Sequence, residues 1–483
     1  MNPALRRLSV AALALFGLLF VNVNYLQTVR ADALRNDPRN TRQLSEIYSR
    51  ERGQIVAGGA AIAESRATSG RLKYLRVYPR GRAFANLTGY FSLVYSRAGL
   101  EQAYEPILSG DDDRLFVRRL SDLVTGREPQ GGIVKLTVDP ATQDAAVRAL
   151  GNKVGAVVAL DPRTGAVLAQ ATSPSYDPND LAAHDPDKVR AAFARYQRDP
   201  HDPLLDRATQ RRYPPGSVFK LVTTAAALSS GRYNPETRIP SPPQLKLPLT
   251  NRSLRNFEGE SCSGATSTLA DALRISCNTA YAGLGLALGA DALKSQARRF
   301  GFGGDLGDYP LPIAESVFPD DADRPQTALS AIGQYEVAVT PMQMAVVAAA
   351  IANRGLAMQP YVVDEVEGPD LSVLSRHEPR PLSTAVSPSV AAQLTQMMQL
   401  VVTRGTGTRA QVPGVAVAGK TGTAQNAANR PPYAWFIGFA PAAAPRITIA
   451  VLVESGASGK VTGGLVAAPI FRTVMETALA RGA

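Results

Sequence analysis

Two apolar runs flank the turn DPRTG in GAVVALDPRTGAVLAQAT, residues 155 to 172, and they read as a β-hairpin. A two-stranded hairpin is marginal alone, so it needs further strands. The next strand-like runs that fit lie near the C-terminal end: GVAVAGKTGTA (414–424), YAWFIGFAPA (433–442) and ITIAVLVESG (447–456). A helical APIFRTVMETALA follows them. Between hairpin and strands, from about 217 to 354, the pattern is helical: LVTTAAAL, TLADALRI, TAYAGLGLALG and TPMQMAVVAAAIANRG. The expected sheet is therefore antiparallel, built from both ends of one domain, with a helical lobe inserted. That is an α+β architecture.

The chain begins MNPALRRLSVAALALFGLLFVNVNYLQTVRAD. Arg6 and Arg7 precede a mostly apolar stretch, Leu8 to Leu26, about one bilayer crossing long. Paired arginines there favour a cytoplasmic N-terminus, with everything from about residue 31 outside the cytoplasm. A cleaved signal peptide is the competing reading, with Ala31-Asp32-Ala33 as a loose cleavage site. The apolar stretch is long for a signal, which favours an uncleaved anchor. Net charge is +11, but the arginines are dispersed and form no dense tract. A general solubility charge fits that spread, and no nucleic-acid partner is expected.

Cys262 and Cys277 stand 15 residues apart. In an exported chain they form a plausible disulfide, worth about 3 kcal/mol by loop closure; two buried thiols are the alternative. His184, His201 and His377 all fall in polar segments and read as surface residues, which leaves no Ser-His-Asp triad. There is no clustering of metal-ligand residues, and neither a metal nor an organic cofactor is expected.

Residues 31–51 read as a polar, arginine-rich helix. RGQIVAGGAAIAES and the strand-like YLRVYP and YFSLVYS follow, then the acidic run Asp111–Asp113, Arg118-Arg119, and a turn or linker at PQGG (129–132). LTVDPATQDAAVRAL reads as a strand end entering a helix, and the charged, Pro/Asp-rich segment 181–210 reads as a mobile loop. The texture changes near Gly155. The expected parts are residues 1–30 as cytoplasmic tip and transmembrane anchor, 31–150 as a non-catalytic pedestal, and 151–483 as the catalytic domain.

Three short motifs each occur once. In PPGSVFKLV, Pro214, Pro215 and Gly216 open a helix, placing Ser217 at its N-terminus and Lys220 on the same face. Unpaired N–H groups at that end suit an oxyanion. Lys220 can take the serine proton if burial or a second cation keeps it neutral. An ordinary helix start with a solvated lysine is the bland reading. In RISCNTAYA, Ser276 and Asn278 can present a hydroxyl for proton relay and an amide for a peptide backbone, or merely cap a helix. In VAGKTGTAQ, Lys420 with Thr421 and Thr423 makes a carboxylate site, and Gly422 lets a ligand approach the strand; an edge strand with a glycine bulge is the alternative.

S-x-x-K, S-x-N and K-T-G in that order, each in suitable secondary structure, form nearly the known motif set of serine β-lactamases and penicillin-binding proteins. The chain resembles the class B penicillin-binding proteins, the peptidoglycan D,D-transpeptidases, and within them the actinobacterial penicillin-binding protein A type. GAVVALDPRTGAVLAQATSPSYDPN, AIGQYEVAVTPMQMAVVAAAIANRG and AGKTGTAQ followed by AWFIGFAP carry the likeness, as do RGQIVAGG and RLFVRRLSDLVTGREPQGG nearer the N-terminus.

The resemblance implies a penicillin-binding/serine β-lactamase-like domain, with helices on both sides of its sheet, on an elongated mixed pedestal. It implies that Ser217 attacks a D-Ala-D-Ala carbonyl, Lys220 acts as base and Ser276 relays a proton. Asn278 would hold the peptide amide. Lys420, Thr421 and Thr423 would bind the terminal carboxylate. The N–H groups of Ser217 and Thr423 would form the oxyanion hole. Implied partners are stem peptides or their lipid-linked precursor, β-lactams, and a membrane glycosyltransferase within a cell-wall synthesis complex. GQYE departs from the more widespread GQG, affecting a helix cap more than chemistry.

A D,D-carboxypeptidase would use the same residues, and a divisome scaffold or β-lactam sensor is the non-enzymatic alternative. A β-lactamase is disfavoured because no E-x-x-L-N motif appears. A bifunctional glycosyltransferase is disfavoured because only about 120 residues separate anchor and catalytic domain.

Overall fold

The computed structural model describes residues 3–30, 47–70, 72–115, 126, 130–259, 261–262, 264–426, 431–456 and 459–482. Most of the helix expected over 31–51, and Arg118-Arg119, lie outside the described residues. The first element is a long helix, α1 (Pro3–Thr28), whose Leu13, Phe16 and Phe20 are each 72% exposed. Three of its polar side chains, Ser9, Asn24 and Thr28, each bond the carbonyl four residues back. It is long and apolar enough to cross a membrane.

The segment expected as a pedestal contributes strands β1 (Ile55–Ala57), β2 (Ala60–Ala67), β3 (Tyr74–Val77) and β4 (Ile133–Leu136). Its polar centre is a buried ion cluster, with Glu101 accepting from Arg52 at 2.5 Å and from Arg76 at 2.6 Å. YFSLVYS is not one strand but two-residue strands, Phe91–Ser92 and Ser96–Arg97, around a turn. Helix α2 (Pro140–Leu150) begins at Asp139, whose carboxylate accepts from Thr142 N at 2.8 Å.

The hairpin follows as β5 (Val154–Leu160) and β6 (Val167–Ser173). The segment expected as a mobile loop contains helix α3 (Pro186–Arg198). Asp185 caps it, and Val189, Ala192 and Tyr196 bury a small apolar face beside Tyr176 and Leu181. Charged residues on the outer face hid that stripe. Then come α4 (Lys220–Ser229), α5 (Leu269–Arg274), α6 (Asn278–Leu288) and α7 (Pro341–Ala352). All residues of α7 are buried, as an all-round apolar helix requires. GQYE closes the end of helix Arg324–Ser330, where Gln334 N donates to Leu329 O at 3.0 Å.

Strands β7 (Val363–Glu367) and β8 (Val373–Arg376), helix α8 (Pro388–Arg404), strands β9 (Ala418–Ala424), β10 (Tyr433–Ala440) and β11 (Ile447–Ser455), and helix α9 (Ala468–Ala480) complete the chain. The central sheet has order β9-β10-β11-β5-β6 and is antiparallel throughout. It is built from both ends of the domain. Phe471, Val474 and Met475 of α9 pack on one face with Ala146 and Leu150 of α2; α7 packs on the other. The pedestal sheet has order β8-β7-β4-β1-β2-β3, so two strands from the catalytic half complete it.

His201 is exposed, but the other two histidines are half-buried. His184 sets its ring edge against Tyr48, and His377 stacks on Tyr361 at 3.8 Å. Burial lowers the pKa of both imidazoles.

Candidate active site

The serine is delivered by a tight turn. Gly216 has φ +54°, and a Cβ on it would lie 3.0 Å from both Thr423 O and Ala424 Cβ of β9. Gly333 sits behind it at φ +71°, where an added Cβ would lie 2.1 Å from Gly216 O. Two glycines thus let the Ser217 turn press against the edge strand. Gly216 N donates to Gly333 O at 2.9 Å, and the Trp435 indole donates to Pro214 O at 3.1 Å.

The sequence points to an α-helical start here; the structure has a 3₁₀ turn, Gly216–Phe219, before α4. With about three residues per turn, side chains three apart eclipse, which aligns Ser217 and Lys220. Ser217 is half-buried and lines a cavity of 760 Å³ with Ser276, Asn278, Thr421 and Thr423.

Lys220 is 0% exposed, so the solvated-lysine reading is excluded. Its Nζ donates to Ser276 O at 2.7 Å and to Asn278 Oδ1 at 2.8 Å, and lies 3.3 Å from Ser276 Oγ. Burial, and secondarily the charge of Lys420, hold its pKa well below the usual lysine value. A neutral amine has two N–H groups for the two carbonyl-type oxygens and keeps a lone pair. That is the form a base requires.

Lys420 is also fully buried. Strand alternation turns Lys420 and Gly422 inward, while Thr421 and Thr423 face the cavity. A Cβ on Gly422 would lie 3.0 Å from Pro215 O and Val218 Cγ1, so this glycine lets the serine turn approach the strand. Lys420 Nζ donates to Ser276 Oγ and to Thr421 O, each at 2.9 Å. Burial lowers its pKa to about 7. Both lysines therefore converge on Ser276.

Ser276 itself has φ +63°, a left-handed conformation uncommon for serine. It is held there by the two lysines and by Ser276 N donating to Leu273 O at 3.1 Å. Asn278 commits its Oδ1 to Lys220, leaving its NH₂ as the group with which to meet a peptide. Cys262 and Cys277 are disulfide-bonded, with Cα atoms 5.9 Å apart, and line the same cavity.

Some cavity residues carry no motif. Thr406 bonds Thr421 hydroxyl to hydroxyl at 2.5 Å, and Gly463 N donates to Thr423 Oγ1 at 3.3 Å. Asn256, Arg409 and Lys460 also line the cavity. The glycines of RGTGT around Thr406 were the available signal for a close approach; Asn256 had none.

Comparison with known proteins gives a consistent result. Residues 155–476 match the family described as penicillin binding protein transpeptidase domain, and residues 52–134 match the penicillin binding protein A dimerisation domain. The chain is 47% identical to a peptidoglycan D,D-transpeptidase PbpA from Mycolicibacterium smegmatis over 100% of both chains. It is 47% identical to PbpA from Mycobacterium tuberculosis over 99% of both. The solved ceftriaxone acyl-enzyme of M. tuberculosis penicillin-binding protein A superposes with TM-score 0.87 at 46% identity, covering 90% of this chain and 100% of that one.

Proposed function

This chain belongs to the penicillin-binding protein transpeptidases and is a serine-type peptidoglycan D,D-transpeptidase, and we propose that its acyl-enzyme forms on Ser217. One observation carries the assignment of roles: a fully buried Lys220 lies three residues after a cavity-lining serine and shares Ser276 with a second buried lysine.

Neutral Lys220 takes the Ser217 proton as Oγ adds to the carbonyl of the penultimate D-Ala. The backbone N–H groups of Ser217 and Thr423 receive the oxyanion, and the close packing of the Gly216 turn on β9 supports that reading. The proton passes from Lys220 through Ser276 Oγ to the departing D-Ala amine as the amide bond breaks, leaving an ester on Ser217. Lys420 holds Ser276 and supplies positive charge below Thr421 and Thr423, where the terminal carboxylate docks. The Asn278 NH₂ meets a carbonyl of the stem. An amine from a neighbouring stem then attacks the ester, forming the crosslink and restoring the serine. β-Lactams acylate the same oxygen.

The N-terminal arginines orient α1 with its tip in the cytoplasm and the rest of the chain outside. A disulfide fits that oxidising side. A membrane glycosyltransferase meets α1 and the pedestal and supplies the glycan. Residues 1–30, 31–150 and 151–483 serve as anchor, pedestal and transpeptidase.

Intact-mass spectrometry of the full chain in detergent tests the chemistry. Wild type, Ser217→Ala and Lys220→Ala receive benzylpenicillin, then a D-Ala-D-Ala stem with or without an acceptor amine. An adduct on wild type alone and ligated product are expected. Hydrolysis without ligation would indicate a carboxypeptidase, and no adduct on folded wild type a scaffold. Absence of any polymerase from crosslinked membrane preparations would remove the partner assignment.

A further inference from the structure

Helix α6 begins without a cap of its own. Cys277 occupies the N-cap position and its side chain makes no capping hydrogen bond. Its sulfur is committed to the disulfide. A helix start leaves N–H groups in need of acceptors. Two of them, on Asn278 and Thr279, donate to one atom from elsewhere in the chain: Asn256 Oδ1, at 2.8 and 3.1 Å. The Thr279 hydroxyl lies 3.4 Å from the same oxygen. Asn256 is 8% exposed and lines the catalytic cavity. It follows the short strand Ser253–Arg255 and precedes Cys262, so the disulfide tethers the segment that carries it.

The other half of the carboxamide is the informative half. Asn256 Nδ2 is buried and has no hydrogen-bond partner among the described residues. An aspartate here would accept the same two N–H bonds and leave no orphaned NH₂. Its charge would also suit a helix N-terminus. What asparagine offers is neutrality at a charged crossroads. Asn256 Oδ1 holds Asn278 N, and Asn278 Oδ1 holds Lys220 Nζ at 2.8 Å.

The titratable groups around that point are almost all basic. Lys220 comes from α4, Lys420 from β9, and Arg409 and Lys460 from the cavity walls. From α6 comes the Tyr281 phenol, its ring centroid 5.4 Å from Lys220 Nζ, and burial raises its pKa. On α5, Asp271 is engaged by Arg274 at 2.8 Å. No carboxylate is among the described lining residues. An anion introduced here would favour protonated lysine and silence the base.

We propose that Asn256 is a positioning residue of the acyl transfer: its carboxamide caps the helix carrying Asn278, and does so without charge, keeping Asn278 on Lys220 and the cavity wall free of carboxylates. This rests on the reading of Ser217 as nucleophile and Lys220 as its base.

The test is the pH–rate profile of Ser217 acylation by benzylpenicillin, measured by intact mass on the full chain in detergent, together with the thermal midpoint. Asn256→Asp keeps both N–H bonds. Its acid limb should move up by about one pH unit, roughly a tenfold loss below the limb, with the midpoint held or raised. Asn256→Ser keeps a neutral acceptor on a shorter side chain, so its limb should stay in place while the rate falls severalfold at every pH.

An Asn256→Asp limb that superimposes on wild type, or limbs that move equally in both variants, would overturn the proposal. Should Asn256→Asp not fold, Asn256→Ser decides alone. A uniform severalfold loss supports the proposal, and a rate within about twofold of wild type overturns it. A wild type that takes up no benzylpenicillin on Ser217 overturns the parent reading and this one with it, and it does so before any variant is made.

Discussion

Replacing Lys420 by methionine should make the protein more stable at neutral pH and less stable in mild alkali. The amine is fully buried and its pKa falls from 10.5 to about 7 on folding. Between those values the unfolded chain binds the extra proton, so wild-type stability rises with pH. At about 1.36 kcal/mol per unit, the half-protonated folded amine costs on the order of 4 kcal/mol at pH 7. At pH 9.5 that cost shrinks to about 1 kcal/mol. Methionine avoids it but loses the bonds to Ser276 Oγ and Thr421 O, each 2.9 Å long. Those two bonds offset about 2 kcal/mol.

Lys420→Met should therefore be about 2 kcal/mol more stable than wild type at pH 7 and about 1 kcal/mol less stable at pH 9.5. The single tryptophan, Trp435, is buried and pairs with Gly422 across the sheet, so its fluorescence reports unfolding beside the substitution. Urea unfolding at the two pH values gives the comparison. A stability difference that does not change with pH would refute the buried, proton-poor lysine. Acylation by benzylpenicillin should fall at least about a hundredfold at both pH values, because Ser276 Oγ loses the amine that bonds it at 2.9 Å.

Three other substitutions probe the scaffold. Gly333→Ala places a Cβ 2.1 Å from Gly216 O at φ +71°, so it should destabilise by about 2–4 kcal/mol. It should also slow acylation about a hundredfold by displacing the serine turn; wild-type kinetics at an unchanged midpoint would refute this. Replacing both Cys262 and Cys277 by serine should cost about 3 kcal/mol in urea unfolding, as expected for a 15-residue loop. Tyr335 is 41% exposed at φ +63°, so Tyr335→Gly should gain about 1 kcal/mol; a lower thermal midpoint would contradict the strain argument.

The central sheet was legible because its alternation and apolar runs are local signals, readable in β5, β6, β9, β10 and β11 one at a time. Ser217, Lys220, Ser276 and Lys420 were legible as motifs; Ser217 and Ser276 line one cavity and both lysines reach Ser276. The 3₁₀ start was not, because it follows from the tertiary contact of Gly216 with β9 rather than from PPGS. The inward turn of Lys420 was obscured by grouping its ammonium with the Thr421 and Thr423 hydroxyls as one carboxylate site, although alternate strand residues face opposite ways. Helix α3 was lost to its charged outer face. Asn256 was invisible: its role exists only where it meets the start of α6, twenty-two residues later.

The exchange of β7 and β8 into the pedestal sheet governs how this protein is made. Strand β4 is synthesised long before β7 exists, and it has only β1 to pair with until then. During that interval one edge of the growing sheet is open to other chains. Closure must await a contact spanning more than two hundred residues, the kind of long-range pairing that slows folding. A fragment stopped at residue 150 keeps the open edge permanently and should aggregate. The two halves are better regarded as one folding unit than as beads on a string.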